Sequence, residues 1–391
     1  MASSVYNEFI DINKVCSQSI IEKMLNIHKN QTKIPFALGL PSSKFFPILD
    51  IQKSVATLTA DDFQYNAPSL NLKSHIVNLM QKRGVKCNTE QIFLTTGGQE
   101  GISLLIKMFL KHNDQIIAEK LSYPGFIQAI NEIELDITIV NTLDSGIDVN
   151  EIHKHLQQGK RPKLIYVITD GHNPLSVSMS HATRLKLISI ADQYQIPIIE
   201  DDPYGFLFYE NQMPTLKSLN PDGVFYIGTF SKILMPALKV GWIILPERYN
   251  DTLKNIKNSW DLNTATFSQR VIANFLETNS FSNHLLILRN EYKKLRDIMI
   301  CALKDYFPKN AKYIIPNSGM FIWVELNNQI NTNKLLEISL QEYGITFMPS
   351  SVFGVTKDIK LINGMRLNFT NCNPEEIIYG IEILGKLISR F

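Results

Sequence analysis

The chain has 391 residues, 45% hydrophobic and 19% charged, with 39 Lys+Arg against 37 Asp+Glu and a net charge of +2. This ordinary globular composition, long enough for about two cored domains, excludes a disordered, collagen-like or low-complexity chain. The near-neutral balance gives no general pull toward nucleic acid or an acidic membrane, and no run reaches the roughly 18 apolar residues of a membrane span.

The opening MASSVYNEFIDINKV has early acids and no apolar run, so it does not read as a signal peptide, and a soluble cytoplasmic protein is expected. Cys16, Cys87, Cys301 and Cys372 are far apart, without CxxC or Cys/His spacing. They read as buried reduced thiols, with no zinc site or disulfide framework. Two glycines in TTGGQEGISLLIKMFL lead into a helix with Ile102, Leu105, Met108 and Phe109 on one side. Free N–H groups at such a helix start suit a phosphate, although a tight turn alone would also explain the glycines. A strand-like IIAE precedes LSYPG.

LIYVIT (Leu164 to Thr169), PIIED (Pro197 to Asp201), VFYIGTF (Val224 to Phe230) and VGWIILP (Val240 to Pro246) then read as buried strands. Between the first two, SHATRLKLISIADQY is an amphipathic helix with Ser180 as its N-cap. The alternation implies a mostly parallel sheet with crossover helices. The C-terminal part changes character. It has a long helix around Asn283 to Phe307, a strand GMFIWVEL, a helix ended by Gly344, strands ITFMP and MRLNFT, and a final helix with Pro374 near its start. An α/β domain over residues 46–276 is expected, with residues 1–45 joining 277–391 in a smaller α+β domain.

Lys232 follows Thr229 and Ser231 after a buried strand, where open α/β sheets bind ligands. Two acids end the strand of IIEDDPYG, and Asn173-Pro174 follows LIYVIT in DGHNPLS. A phosphate cradle, an acid for a ring nitrogen, donors for a phenolate oxygen and a lysine for an imine are together the needs of pyridoxal 5'-phosphate. On these segments, from LGLP (Leu38 to Pro41) to MRLNF (Met365 to Phe369), the chain resembles the fold-type I aminotransferases. The subgroup is the aminoadipate and aromatic aminotransferase-like enzymes, with their EDDPY and SFSKxLxPGLRxGW segments.

The resemblance implies helices on both faces of the large-domain sheet. It makes Lys232 the Schiff-base lysine and proton shuttle, and Asp201 the partner of the pyridine nitrogen, with Asp202 the neighbouring alternative. Tyr204 and Asn173 become donors to the ring oxygen and Tyr123 the stacking aromatic. Gly98 and Gln99 would present backbone N–H groups to the phosphate, joined by Thr229 and Ser231 hydroxyls. Tyr65, in FQYNAPS, would reach the phosphate of a partner subunit, implying a homodimer with shared sites. Arg366 would take the substrate's α-carboxylate in its planar fork, and Gly39 would let the backbone approach the substrate.

The pattern also departs from the family's. Its phosphate-binding arginine, seven residues after the lysine, is Lys239. Its NPTG turn is Asn173-Pro174-Leu175-Ser176, its PGL is Pro236-Ala237-Leu238, its GG is Ser318-Gly319, and Pro349-Ser350 replaces Pro-Gly. The stretch after Tyr65 is shorter than usual and lacks its glycine. These changes suit a specialised enzyme. They leave two reactions through a Cα carbanion: transamination of an L-α-amino acid with a 2-oxo acid, or elimination and cyclisation of a functionalised, for example hydroxylated, amino acid. A transcription regulator with an effector-sensing domain of this type is disfavoured, because no basic helix-turn-helix pattern precedes Leu38.

Overall fold

The computed structural model describes residues 32–278, 280–327, 330–356 and 363–390. The expectations for Cys16 and for the first 31 residues lie outside these.

Seven strands form the main sheet: β1 (Ile92–Thr95), β2 (Gln115–Glu119), β3 (Asp136–Val140), β4 (Leu164–Ile168), β5 (Ile198–Asp201), β6 (Val224–Thr229) and β7 (Gly241–Ile244). Their order is β1-β7-β6-β5-β4-β2-β3. Only β7 runs antiparallel to its neighbours; the remaining pairs are parallel. Side chains alternate across the sheet, as a period of two requires. Leu164, Tyr166 and Ile168 pack with α1 (Gly98–Phe109) and α2 (Pro124–Ile130) on one face. Ile165 and Val167 pack with α3 (Val149–Gln157) and α4 (His181–Tyr194) on the other. Both faces are therefore covered, which is why these strands read as unbroken apolar runs. Ser180 caps α4 as its position suggests, its side chain accepting from the Thr183 N–H at 3.2 Å.

After α5 (Asn250–Asn258), the long α6 (Ser280–Tyr306) leads into a second sheet of β8 (Lys312–Tyr313), β9 (Phe321–Glu325), β10 (Met348–Pro349) and β11 (Gly364–Asn368). It is antiparallel throughout, in the order β8-β9-β11-β10. Helix α7 (Thr332–Tyr343) ends at Gly344 in the left-handed region, φ +69°. Helix α8 (Pro374–Ile388) starts with Pro374 behind an Asn373/Glu376 capping box. The ITFMP segment is not one strand. Ile345–Thr346 pairs in parallel with Ile34–Pro35, whereas Met348–Pro349 pairs with β11, and the buried Phe347 lies between. Alternation of side chains carries no signal for a change of partner.

The thiols also differ from expectation: Cys372 is buried, but Cys87 is half-buried and Cys301 exposed. No described helix is long and apolar enough to cross a membrane.

Helix α8 approaches α6 closely enough that a Cβ on Gly385 would overlap the carbonyl oxygen of Tyr306. Gly→Ala inside a helix ordinarily stabilises by up to about 1 kcal/mol. Here backbone must move instead, so Gly385→Ala should destabilise by about 1–3 kcal/mol. Chemical denaturation checks this; a variant at least as stable as the native chain would contradict the packing.

Candidate active site

A cavity of ≈ 290 Å³ opens at the C-terminal ends of β4, β5 and β6, beside the start of α1. Open parallel sheets place ligands at such strand ends. Gly39, Gly98, Gln99, Tyr123, Asn173, Asp201, Tyr204, Thr229, Ser231, Lys232, Lys239 and Arg366 all line it, although they come from segments hundreds of residues apart. Tyr65 does not: it stands 91% exposed on the outside of the chain. Apolar walls come from Leu38, Leu40, Ile102, Pro236, Phe321 and Met348.

One end is built for an anion. Gly97 caps α1 at φ +79°, a conformation that disfavours any side chain, and Gly98 is the first helical residue. A Cβ on Gly97 would sit 4.0 Å from both Lys239 Nζ and Ser231 Oγ, so the glycine keeps a space open between an ammonium and a hydroxyl. The Thr229 hydroxyl donates to Ser231 Oγ at 3.0 Å and accepts from the Ser231 N–H at 3.1 Å. Gln99 also acts through its side chain, donating to the Gly125 carbonyl at 2.8 Å and so holding the Tyr123-Pro124-Gly125 turn. Lys239, exposed, ends a short helical turn in the left-handed region, φ +52°.

Asp201 lies deep in the cavity. Tyr166 donates to its Oδ2 at 2.6 Å, yet burial, with the neighbouring Asp202 adding to it, pushes its carboxyl up to about 7. Asp202 points the other way, into a buried ion pair with Arg83 at 2.9 Å and hydrogen bonds from Tyr226 and the Gly205 N–H. Of the two acids the sequence offered, Asp201 is therefore the one that faces the cavity. Burial raises the phenols of Tyr204 and Tyr123, the latter to about 12.

Lys232 donates to the Gly39 carbonyl at 2.6 Å. Burial, helped by the positive charges of Arg366 and Lys239, brings its amine down to about 8. A Cβ on Gly39 would fall 2.8 Å from the Phe321 ring, so no larger residue fits where the backbone meets that amine.

Arg366, on β11, donates to Asn173 Oδ1 at 2.7 Å and to the Ala37 carbonyl at 2.5 Å, and its Nε has no partner among the described residues. Its guanidinium lies 3.9 Å over the Phe321 ring and 5.2 Å from that of Phe353. Burial lowers it to about 10, and the groups acting against that shift are two tyrosines, not acids. It is a buried cation for which the described residues supply no carboxylate.

This donor set fits pyridoxal phosphate: an anion cradle with a held-open space, an uncompensated carboxylate deep in the cavity, an amine with lowered basicity and a guanidinium awaiting an anion. Sequence reasoning missed Tyr166, Arg83 and Phe321. An alternating strand places Tyr166 beside Asp201, a signal readable only once β4 and β5 are known to be neighbours. Among the described residues no group of His, Cys, Asp and Glu is arranged to hold a metal ion.

Residues 48–384 match the family of class I and II aminotransferases. An uncharacterized aminotransferase of Saccharolobus solfataricus is 33% identical over 96% of both chains. Aromatic-amino-acid aminotransferase 1 of Thermococcus litoralis is 32% identical over 95% of this chain and 91% of its own. The kynurenine aminotransferase of Pyrococcus horikoshii, solved with PMP, superposes with a TM-score of 0.92 at 30% identity, covering 99% of this chain and 98% of the other. Of the reactions the sequence leaves open, these relatives support transamination over elimination or cyclisation. The chain belongs to the class I and II aminotransferases: it is a pyridoxal-phosphate-dependent transferase of fold type I.

Proposed function

We propose that the enzyme transfers the amino group of an L-α-amino acid with an apolar or aromatic side chain to a 2-oxo acid. The carrying observation is Arg366, a buried guanidinium without an acid, in the same cavity as the lowered amine of Lys232. Among the described residues the cations lining the cavity are Lys232, Lys239 and Arg366. Each has a task on the cofactor or the α-carboxylate, which leaves apolar walls for the substrate side chain. The names of the aromatic-amino-acid and kynurenine aminotransferases agree with this.

When bound, the cofactor supplies a carbonyl to take the amino group and an electron-poor ring to accept the pair left at Cα. Asp201 would hold the proton of the ring nitrogen, and its Tyr166 hydrogen bond fixes its orientation. Lys232, with a basicity near neutral pH, would take the proton from Cα and return it. Tyr204 and Asn173 would donate to the ring oxygen, and Tyr123 would cover the ring face. The Gly98 and Gln99 N–H groups, Thr229, Ser231 and Lys239 would hold the phosphate. Arg366 would fix the carboxylate and so orient the Cα–H bond whose proton Lys232 would take.

The same reading makes the enzyme a cytoplasmic homodimer with sites shared between subunits. Tyr65, itself 91% exposed, would reach the partner's phosphate, and Phe63 and Leu262 are large apolar side chains likewise left exposed. It keeps residues 46–276 as the cofactor-binding domain, and residues 1–45 with 277–391 as the smaller one. The pairing of Ile34–Pro35 with Ile345–Thr346 supports that division.

Arg366→Ala should lower kcat/KM about a hundredfold or more for every amino-acid substrate, because charged hydrogen bonds worth about 3 kcal/mol are lost. Arg366→Lys should regain part of this, and spectrophotometric cofactor affinity should stay near native. Normal kinetics in Arg366→Ala would place the carboxylate elsewhere.

Asp201→Asn should abolish most turnover while keeping the fold. Asp202→Asn should retain chemistry but lose stability, by about 1–3 kcal/mol, since Arg83 loses one of its two buried carboxylate partners and keeps only Asp170. Comparing kcat with denaturation midpoints separates the two; the reverse ranking would exchange the roles.

The amine attacks only when neutral, and Lys232 gives up its proton near pH 8 rather than near 10.5. The rate of cofactor capture by the apoenzyme should therefore rise about tenfold per pH unit below 8 and level off above it. A rise continuing past pH 10 in stopped-flow absorbance would contradict this.

A further inference from the structure

We propose that Lys257, acting through Glu100, is a positioning residue for the turn that holds the cofactor phosphate. The inference rests on reading the Gly97–Gly98 turn as the phosphate anchor. Glu100 is the third residue of α1. Its Oε2 accepts from the Thr96 N–H at 2.6 Å, one residue ahead of Gly97, so its carboxylate ties the turn to the first turn of the helix. Its Oε1 accepts from Lys257 Nζ at 2.7 Å. Lys257 projects from α5, is only 4% exposed, and also meets Asp261 at 2.8 Å.

The charges explain the arrangement. A carboxylate in the first turn of a helix suits the helix dipole, and so does a phosphate. Both at one helix start repel each other at low local dielectric. The ammonium of Lys257 cancels the charge of Glu100 and leaves its hydrogen bond to Thr96 intact. The turn keeps its shape without setting a negative charge against its ligand. The need is sharper here because Lys239 offers the phosphate a point charge and not a bidentate fork.

The test titrates the apoenzyme with pyridoxal phosphate and with pyridoxal, following the absorbance of the bound chromophore. Lys257→Met should weaken binding of pyridoxal phosphate about tenfold or more and leave pyridoxal binding unchanged, since only the former carries the charge that Glu100 repels. The double variant Lys257→Met/Glu100→Gln should recover most of that loss, because the glutamine oxygen still accepts from Thr96 without carrying charge. Glu100→Gln alone keeps Lys257 paired with Asp261 and should bind pyridoxal phosphate at least as tightly as the native enzyme.

Equal weakening toward both ligands in Lys257→Met, or looser binding of pyridoxal phosphate in Glu100→Gln, would overturn the inference while leaving the anchor in place. The second result does not depend on whether Lys257→Met folds. Equal native affinity for pyridoxal phosphate and pyridoxal would instead overturn the anchor itself, and this inference with it.

Discussion

Glu200, Asp201 and Asp202 stand in succession at the buried end of β5, and keeping three adjacent carboxylates in a core is the constraint on which the site depends. Desolvated charge is tolerated only where it is paired or neutralised. Glu200 is held by the Thr169 hydroxyl and the backbone N–H groups of Leu216 and Lys217. Asp202 has Arg83, Tyr226 and the Gly205 N–H. Asp170 bridges Arg83 to Arg184 and so links the turn carrying Asn173 to the strand end carrying Asp201. Asp201, pointing to the opposite face, receives a phenol and, among the described residues, no cation. The network directs its arginines to Asp202 and Asp170, holds Glu200 with a hydroxyl and backbone N–H groups, and leaves Asp201 available to a positively charged ligand atom.

The departures from the family pattern acquire physical content in this frame. Ser176 occupies the position of a lost glycine at φ +63° and Lys239 sits at φ +52°, both in a region where side chains are strained. The Ser176 turn thus holds a left-handed backbone where the family pattern has a glycine, and Lys239 holds one where that pattern has an arginine.

Much of this was legible in the sequence. The buried strands, the Ser180 cap and the glycine-opened helix rest on local patterns whose meaning does not depend on distant partners, whereas the residues lining the cavity were legible through the resemblance of their segments to the aminotransferase family. What local patterns cannot carry is pairing. ITFMP reads as one strand because its alternation is unbroken, yet Thr346 and Met348 answer to different sheets. Asp201 and Asp202 are equivalent as neighbours in sequence; Tyr166 and Arg83, from distant segments, distinguish them. Gln99 was legible as a residue but not as a side chain, because its partner Gly125 belongs to another loop.

The segment from Ala37 to Leu40 has no regular secondary structure, yet its successive carbonyls are all claimed. Arg366 takes Ala37, Asn368 takes Leu38, Lys232 takes Gly39, and Asn368 with Thr370 takes Leu40. Donors on separate elements are thus read against one short ruler of peptide oxygens. Such a ruler tolerates exchange of its side chains wherever space allows, but not a change in its count. Removing or adding one residue would shift every carbonyl by a place and present the amine and the guanidinium with the wrong acceptors at once. A stretch that looks like a loop therefore carries a reading frame as strict as that of a central strand.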